Sequence, residues 1–272
     1  MVDLSEQAGF PLWLDPPTLH IRLGEGFVFG KGLPDEQPDT RTLEGMRPVL
    51  LDHDAEAPDP VLYTMYRDVR RVEDGDRWER LGLRFDITVV RPGALGAEWV
   101  KTFGHYHPTP LDSHLPFPEV YGVLHGRARY LLQHAVDPQV PADRQPIDDV
   151  VWVDAEPGDK VVMLPGYGHV TINPGDEPLV MVDWVDRTFR SLYQPYLDAR
   201  GGAYYALSGG EWERNPRQPQ VPGLRPARPL PVPELGLLPG LPLYTAADED
   251  PNRFLWLSIP DNYRERFPEA LG

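Results

Sequence analysis

Two histidines, His105 and His107, stand two positions apart in the segment GHYH. On a strand, residues i and i+2 share a face, so both imidazoles point the same way. Glu119 follows the loop PTPLDSHLPFP and opens the segment EVYGVLHG. His169 opens HVTIN, where His169, Thr171 and Asn173 share a face. Three imidazoles and one carboxylate from neighbouring strands suit a divalent first-row metal with positions left open for substrate. A metal held there polarises a carbonyl and stabilises an enediolate oxygen. A lone histidine is ordinarily a surface group or a satisfied core group; it is the set of four that points to a site.

Such a set needs short strands to position it. The chain has 272 residues, with 33 prolines and 25 glycines. That composition argues against long helices and for short strands joined by turns. Strand-like runs follow one another: VLYTMYRDV, LRFDITVV, EWVKTFGHYH, EVYGVLHG, RARYLLQ, VVWVDA, KVVMLP, GHVTIN and LVMVDWV. LRFDITVV alternates, with Phe85, Ile87 and Val89 on one face and Arg84, Asp86 and Thr88 on the other. The regular short spacing predicts a sandwich or barrel rather than βαβ units.

Residues 1–45 read as irregular, with short strands at 18–22 and 27–29. Asp39 or Thr42 is the expected cap of a short helix near 42–46. Residues 216–242 hold nine prolines and read as an extended arm. In the amphipathic tail beyond, Leu255, Trp256 and Ile259 are expected to dock on the barrel or on a neighbouring subunit.

Charge and cysteine content exclude several classes. Twenty-six basic against 42 acidic residues give −16. Non-specific nucleic-acid or anionic-membrane binding needs clustered Lys and Arg, so neither partner is expected. The absence of cysteine excludes disulfide scaffolds, thiolate metal sites and cysteine nucleophiles. The N-terminal residues show no basic leader or apolar run, and no 18-residue apolar stretch occurs. Cytoplasm is the expected location.

The constellation resembles the cupin superfamily. Its first motif is matched by His105, His107, Glu119 and Gly126, with a longer loop than usual between His107 and Glu119. Its second motif is matched by Gly158, Pro165, Gly166, His169 and Asn173. Within that superfamily the chain is similar to the cupin-type, archaeal-type glucose-6-phosphate isomerases. Their signature Thr-x-Gly-His-x-His followed by Glu-x-Tyr is met by Thr102, Gly104, His105, His107, Glu119 and Tyr121. In Pro-Pro-x3-His-x3-Asn the first proline is replaced by Leu164, while Pro165, His169 and Asn173 match.

The resemblance implies an all-β cupin (double-stranded β-helix, jelly-roll) barrel over residues 39–222. An N-terminal extension, 1–38, and a Pro-rich C-terminal extension, 223–272, flank it. It implies His105, His107, Glu119 and His169 as metal ligands, for one divalent ion per subunit. Iron(II) is the first expectation, with Mn, Ni or Zn as alternatives. Glu119 and His169 would be the catalytic residues. Thr88, Thr102 and Gly104 would hold the sugar phosphate, with Tyr121 and Tyr204 beside it. The implied reaction interconverts glucose 6-phosphate and fructose 6-phosphate, in a homodimer.

Other residues are open to two readings. Glu98 is a second candidate carboxylate or a salt-bridge partner. Lys101 adds charge near the phosphate or is a solvated strand residue. Tyr204 and Tyr205 close over the sugar or pack a C-terminal strand. His20, His53, His114, His125 and His134 fall outside the spacing and read as structural or surface residues. Three His and one Glu on a cupin barrel also serve iron dioxygenases, and a non-catalytic sugar-binding cupin is a third class. Thr88, Thr102 and Gly104 weigh against the dioxygenase, and the complete ligand set weighs against the binding protein.

Overall fold

A computed structural model describes residues 1–33, 37–137, 140, 146–188, 190–218 and 220–272. Ten strands build two sheets. They are β1 (Asp39–Thr42), β2 (Val61–Tyr66), β3 (Leu83–Val90), β4 (Glu119–His125) and β5 (Ala128–Ala135). Then come β6 (Ile147–Ala155), β7 (Lys160–Met163), β8 (Tyr167–Ile172), β9 (Leu179–Asp186) and β10 (Arg225–Ala227). The larger sheet runs β7-β4-β9-β3-β2-β1 and the smaller β8-β5-β6-β10. All pairings are antiparallel except β6 with β10. This all-β, two-sheet arrangement is the one the cupin motifs imply.

The alternation along β3 is as read, but its polar face points inward. Phe85, Ile87 and Val89 belong to a core on the outer side of the larger sheet. Arg84 and Thr88 line the interior cavity instead. The apolar outer face is covered by both extensions. Leu12 and Leu14 from the N-terminal segment, and Tyr244, Phe254 and Trp256 from the C-terminal one, bury themselves on it. A strand buried on both faces loses the polar-out rule that one-sided sheets obey.

Residues 1–45 are more ordered than expected. Val2–Asp3, Leu12–Asp15 and His20–Leu23 form a three-stranded sheet, and Phe27–Val28 pairs with Arg70–Arg71. Contacts with the outer face of the larger sheet supply the burial that the short runs lack locally. The helix Leu43–Met46 forms as read, capped by Thr42, whose hydroxyl accepts from the Gly45 N–H at 3.3 Å. In the tail Trp256 is buried, Leu255 half-buried and Ile259 exposed. Trp256 Nε1 donates to the Leu235 carbonyl at 3.1 Å.

Candidate metal centre and substrate cavity

The segment EWVKTFGHYH is not the continuous strand its sequence predicts. Only Glu98–Trp99 is regular, and Lys101 and His105 make isolated bridges to Ile172 and His169. Gly104 is the interruption, with φ at +83°, where a side chain is disfavoured. The segment still lies beside β8, because Thr102 N–H donates to the Thr171 carbonyl at 2.8 Å.

Four side chains meet beneath this strip. His105, His107, Glu119 and His169 offer ligand atoms all within 4.8 Å of one another. Glu119 Oε2 lies 3.3 Å from Nε2 of both His107 and His169. His107 Nε2 lies 3.2 Å from His105 Nε2. Donors about 2.1 Å from a common ion are separated by roughly 3 to 3.5 Å, so this spacing fits a first-row cation. The buried Glu119 Oε2 and His169 Nε2 have no hydrogen-bond partner within the protein. Buried polar atoms of this kind call for a partner, and a cation supplies one. His107 Nδ1 faces the Phe117 carbonyl at 2.8 Å. That contact puts the proton on Nδ1 and leaves the Nε2 lone pair for a ligand role.

Electrostatics favour the neutral forms of His105 and His169 and the ionised form of Glu119. Burial, then the neighbouring His169 and His107, hold His105 well below the usual imidazole range. Burial also lowers His169, against the pull of Glu119. For Glu119 burial acts to raise the carboxyl, but the close imidazoles of His107 and His169 outweigh it and hold it well below its ordinary value. Neutral imidazoles and an ionised carboxylate are the forms that bind metal. Close by, burial and then Glu119 push the Tyr121 phenol well up, so it stays protonated as a donor.

The cluster opens into a small cleft of about 80 Å³. Thr88, Thr102, Gly104 and Tyr121 line it together with His105, Glu119 and His169. The Thr102 hydroxyl also accepts from the Thr171 N–H at 2.9 Å, which fixes its rotamer. Tyr63, Arg67, Arg84, Ser191 and Tyr193 line the cleft as well, and none of these was singled out from sequence.

Four other candidates lie elsewhere. Lys101 and Glu98 form a buried ion pair, with Lys101 Nζ also donating to the Val49 carbonyl at 2.9 Å. Thr102 lines the cleft and Lys101 does not, its ammonium being held by Glu98 and the Val49 carbonyl. Tyr204 donates to the Pro222 carbonyl at 2.8 Å, and Tyr205 to the Arg200 carbonyl at 2.6 Å. Neither ring reaches the cleft; hairpin pairing with Trp212–Arg214 holds both tyrosines away from it. Among the remaining histidines, His125 faces Glu177, His134 contacts Asp148, and His114 contacts Asp261 of the C-terminal segment. Asn173 is a structural lock, donating to the Val90 and Glu177 carbonyls.

The two-sheet fold and this buried His/Glu cluster define a cupin with a candidate metal centre. Residues 40–222 match the family model "Glucose-6-phosphate isomerase (GPI)", and the chain belongs to that family. It is 33% identical over 176 residues to the glucose-6-phosphate isomerase of Pyrococcus furiosus, covering 63% of this chain and 79% of the relative. It is 31% identical over 166 residues to that of Pyrococcus abyssi, covering 59% and 76%. Among solved structures, Lactobacillus farciminis oxalate decarboxylase aligns with 16% identity and a TM-score of 0.33. That alignment covers 51% of this chain and 32% of the other.

Proposed function

We propose that this protein interconverts glucose 6-phosphate and fructose 6-phosphate in the cleft above the His/Glu cluster. The carrying observation is the convergence of four metal-ligating side chains on a cleft that Thr88, Thr102 and Gly104 also line. Aldose–ketose isomerisation moves a hydrogen between C1 and C2. The proton route needs one base that reaches both carbons and stabilisation of the cis-enediol oxygens. Glu119 is the base in this reading: it takes the proton from one carbon and returns it to the other. A divalent ion held by His105, His107, Glu119 and His169 supplies Lewis acidity toward the developing negative oxygen. Thr88 and Thr102 hydroxyls and the Gly104 N–H orient the phosphate, and Tyr121 donates to the sugar. We assign iron(II) as the resident metal, with Mn, Ni and Zn as replacements. We also assign a cytoplasmic homodimer, with the isomerase unit at 39–222.

A coupled assay of fructose 6-phosphate tests the reaction, with oxygen uptake followed alongside. Glucose 6-phosphate formed without oxygen consumption supports the isomerase; oxygen consumption without it supports the dioxygenase. Turnover in deuterium oxide separates the routes. Solvent deuterium on carbon marks the Glu119 proton route, and its absence marks a direct hydride shift.

A further inference from the structure

The chain carries a net charge of −16, yet two guanidiniums line the cleft. Arg67 follows β2 and Arg84 lies on β3, two residues before Asp86 and four before Thr88. Both converge on Asp86, whose side chain is fully buried. Arg67 Nη1 donates to Asp86 Oδ2 at 2.6 Å, and Arg84 Nε sits 3.0 Å from both carboxylate oxygens. Arg84 Nη2 adds a contact at 2.9 Å, leaving its Nη1 for another acceptor. Asp86 Oδ1 also accepts from the Asp68 N–H at 2.8 Å. The carboxylate is thus saturated and fixed; Arg84 is held by its Nε–Nη2 edge, while Arg67 also meets Met65 Sδ through Nη2 at 2.9 Å and lies 3.9 Å from Asp39 through Nε.

Two guanidiniums share one buried carboxylate on this wall, with the exposed Asp39 3.9 Å from Arg67 Nε and the buried Asp183 facing both arginines. Burial, then Glu119 and Asp86, push the Asp183 carboxyl well above its usual range. The side chains of Arg67 and Arg84 stay 38% and 28% exposed, so the pair is neither sealed in the core nor free in bulk water. Both arginines border the same cleft as Thr88, Thr102 and Gly104, whose donors are neutral. A sugar phosphate carries close to two negative charges at neutral pH, and guanidiniums match phosphate oxygens in geometry and charge.

We propose that Arg67 and Arg84 bind the phosphate of the substrate and set its specificity for phosphorylated sugars, with Asp86 as the positioning residue that holds both. This rests on the isomerase reading above and adds the charged half of the anion site. Asp86 fixes both guanidinium planes at the cleft wall, where Arg84 Nη1 and the exposed part of the Arg67 guanidinium meet the phosphate.

The test uses metal-loaded full-length Arg67→Met, Arg84→Met and Asp86→Asn. Each Arg→Met raises KM for fructose 6-phosphate by about 10- to 100-fold while kcat changes little, the loss of one charge-assisted contact. Inhibition by inorganic phosphate weakens in parallel, and the rise of KM with salt becomes shallower. Asp86→Asn raises KM but keeps the salt dependence, because both charges remain. Where a methionine variant fails to fold, Arg67→Lys and Arg84→Lys retain the charge, and they show an intermediate KM. Unchanged KM and unchanged phosphate inhibition in folded Arg67→Met and Arg84→Met overturn the proposal. If the wild type does not turn over fructose 6-phosphate, the isomerase reading fails. Calorimetric binding of inorganic phosphate to wild type and Arg→Met variants then decides the arginine site by itself.

Discussion

His105 and His169 exchange both of their main-chain hydrogen bonds, at 3.3 and 3.0 Å, across an isolated bridge. The pairing places their rings with centroids 4.5 Å apart. Two metal-ligand candidates distant in sequence are thus locked by backbone rather than by side-chain packing alone. The bridge stands at the point where the ligand strip departs from regular pairing, one residue after Gly104.

Gly104→Ala tests this lock. The residue has φ at +83°, and an added Cβ would meet Tyr196 ring carbon at 2.5 Å and Val170 Cγ2 at 2.7 Å. Backbone strain and overpacking together predict a loss of at least ~2 kcal/mol in stability. Metal affinity is expected to fall with it, since His105 follows directly. Urea denaturation and metal titration check both; wild-type values in both would show that the strip does not depend on this glycine.

Strand parity explains which parts of the site could be read from sequence. His105 and His107 share a face by their i, i+2 spacing, and Glu119 and His169 stand at strand starts in recognisable motifs; all four converge. Lys101 and Glu98 do not join them. Lys101 precedes a cleft-lining threonine, but the buried Glu98 carboxylate and the Val49 carbonyl hold its ammonium away from the cleft. Arg67 and Arg84 carried no signal, because an arginine on a strand ordinarily reads as a solvated residue. The alternation of Arg84, Asp86 and Thr88 was visible, but a sequence does not say that the apolar side of β3 lies under the two extensions. Tyr204 belongs to a hairpin whose position is set by tertiary contacts beyond the motif region.

Lys101→Met tests the reassignment of that lysine. It leaves the Glu98 carboxylate buried without its cation, while Glu98 Oε2 still accepts from Leu51 N–H at 3.1 Å. The expected cost is about 3 to 5 kcal/mol of stability. KM for fructose 6-phosphate, measured on the folded fraction, stays at the wild-type value. A raised KM with unchanged stability would return Lys101 to the phosphate site.

Asp74 ties the C-terminal segment to the larger sheet's outer face. Its Oδ2 accepts from Tyr244 Oη at 2.5 Å and Trp78 Nε1 at 3.1 Å, and Arg71 lies 3.3 Å from its other oxygen. Burial acts to raise the carboxyl, but hydrogen bonds from Tyr244, Arg71 and Trp78 outweigh it and hold it below its ordinary 3.8. A carboxyl depressed in the folded state stabilises above its unfolded value, and that contribution is lost as pH falls through the folded value. Asp74→Asn is therefore expected to be less stable than wild type at pH 7, by about 1 to 3 kcal/mol. The gap narrows below about pH 4. Denaturant midpoints at both pH values measure it; a gap that widens in acid would reverse the assignment.

The most direct test of the metal-dependent isomerase is a fructose 6-phosphate assay on wild type and His169→Ala, before and after EDTA treatment and after readdition of iron(II) or manganese(II). The account predicts that wild-type activity is removed by EDTA and restored by metal. It also predicts that His169→Ala, folded by circular dichroism, binds less metal and stays inactive. Full turnover in metal-stripped enzyme, or no turnover in fully loaded wild type, would contradict it.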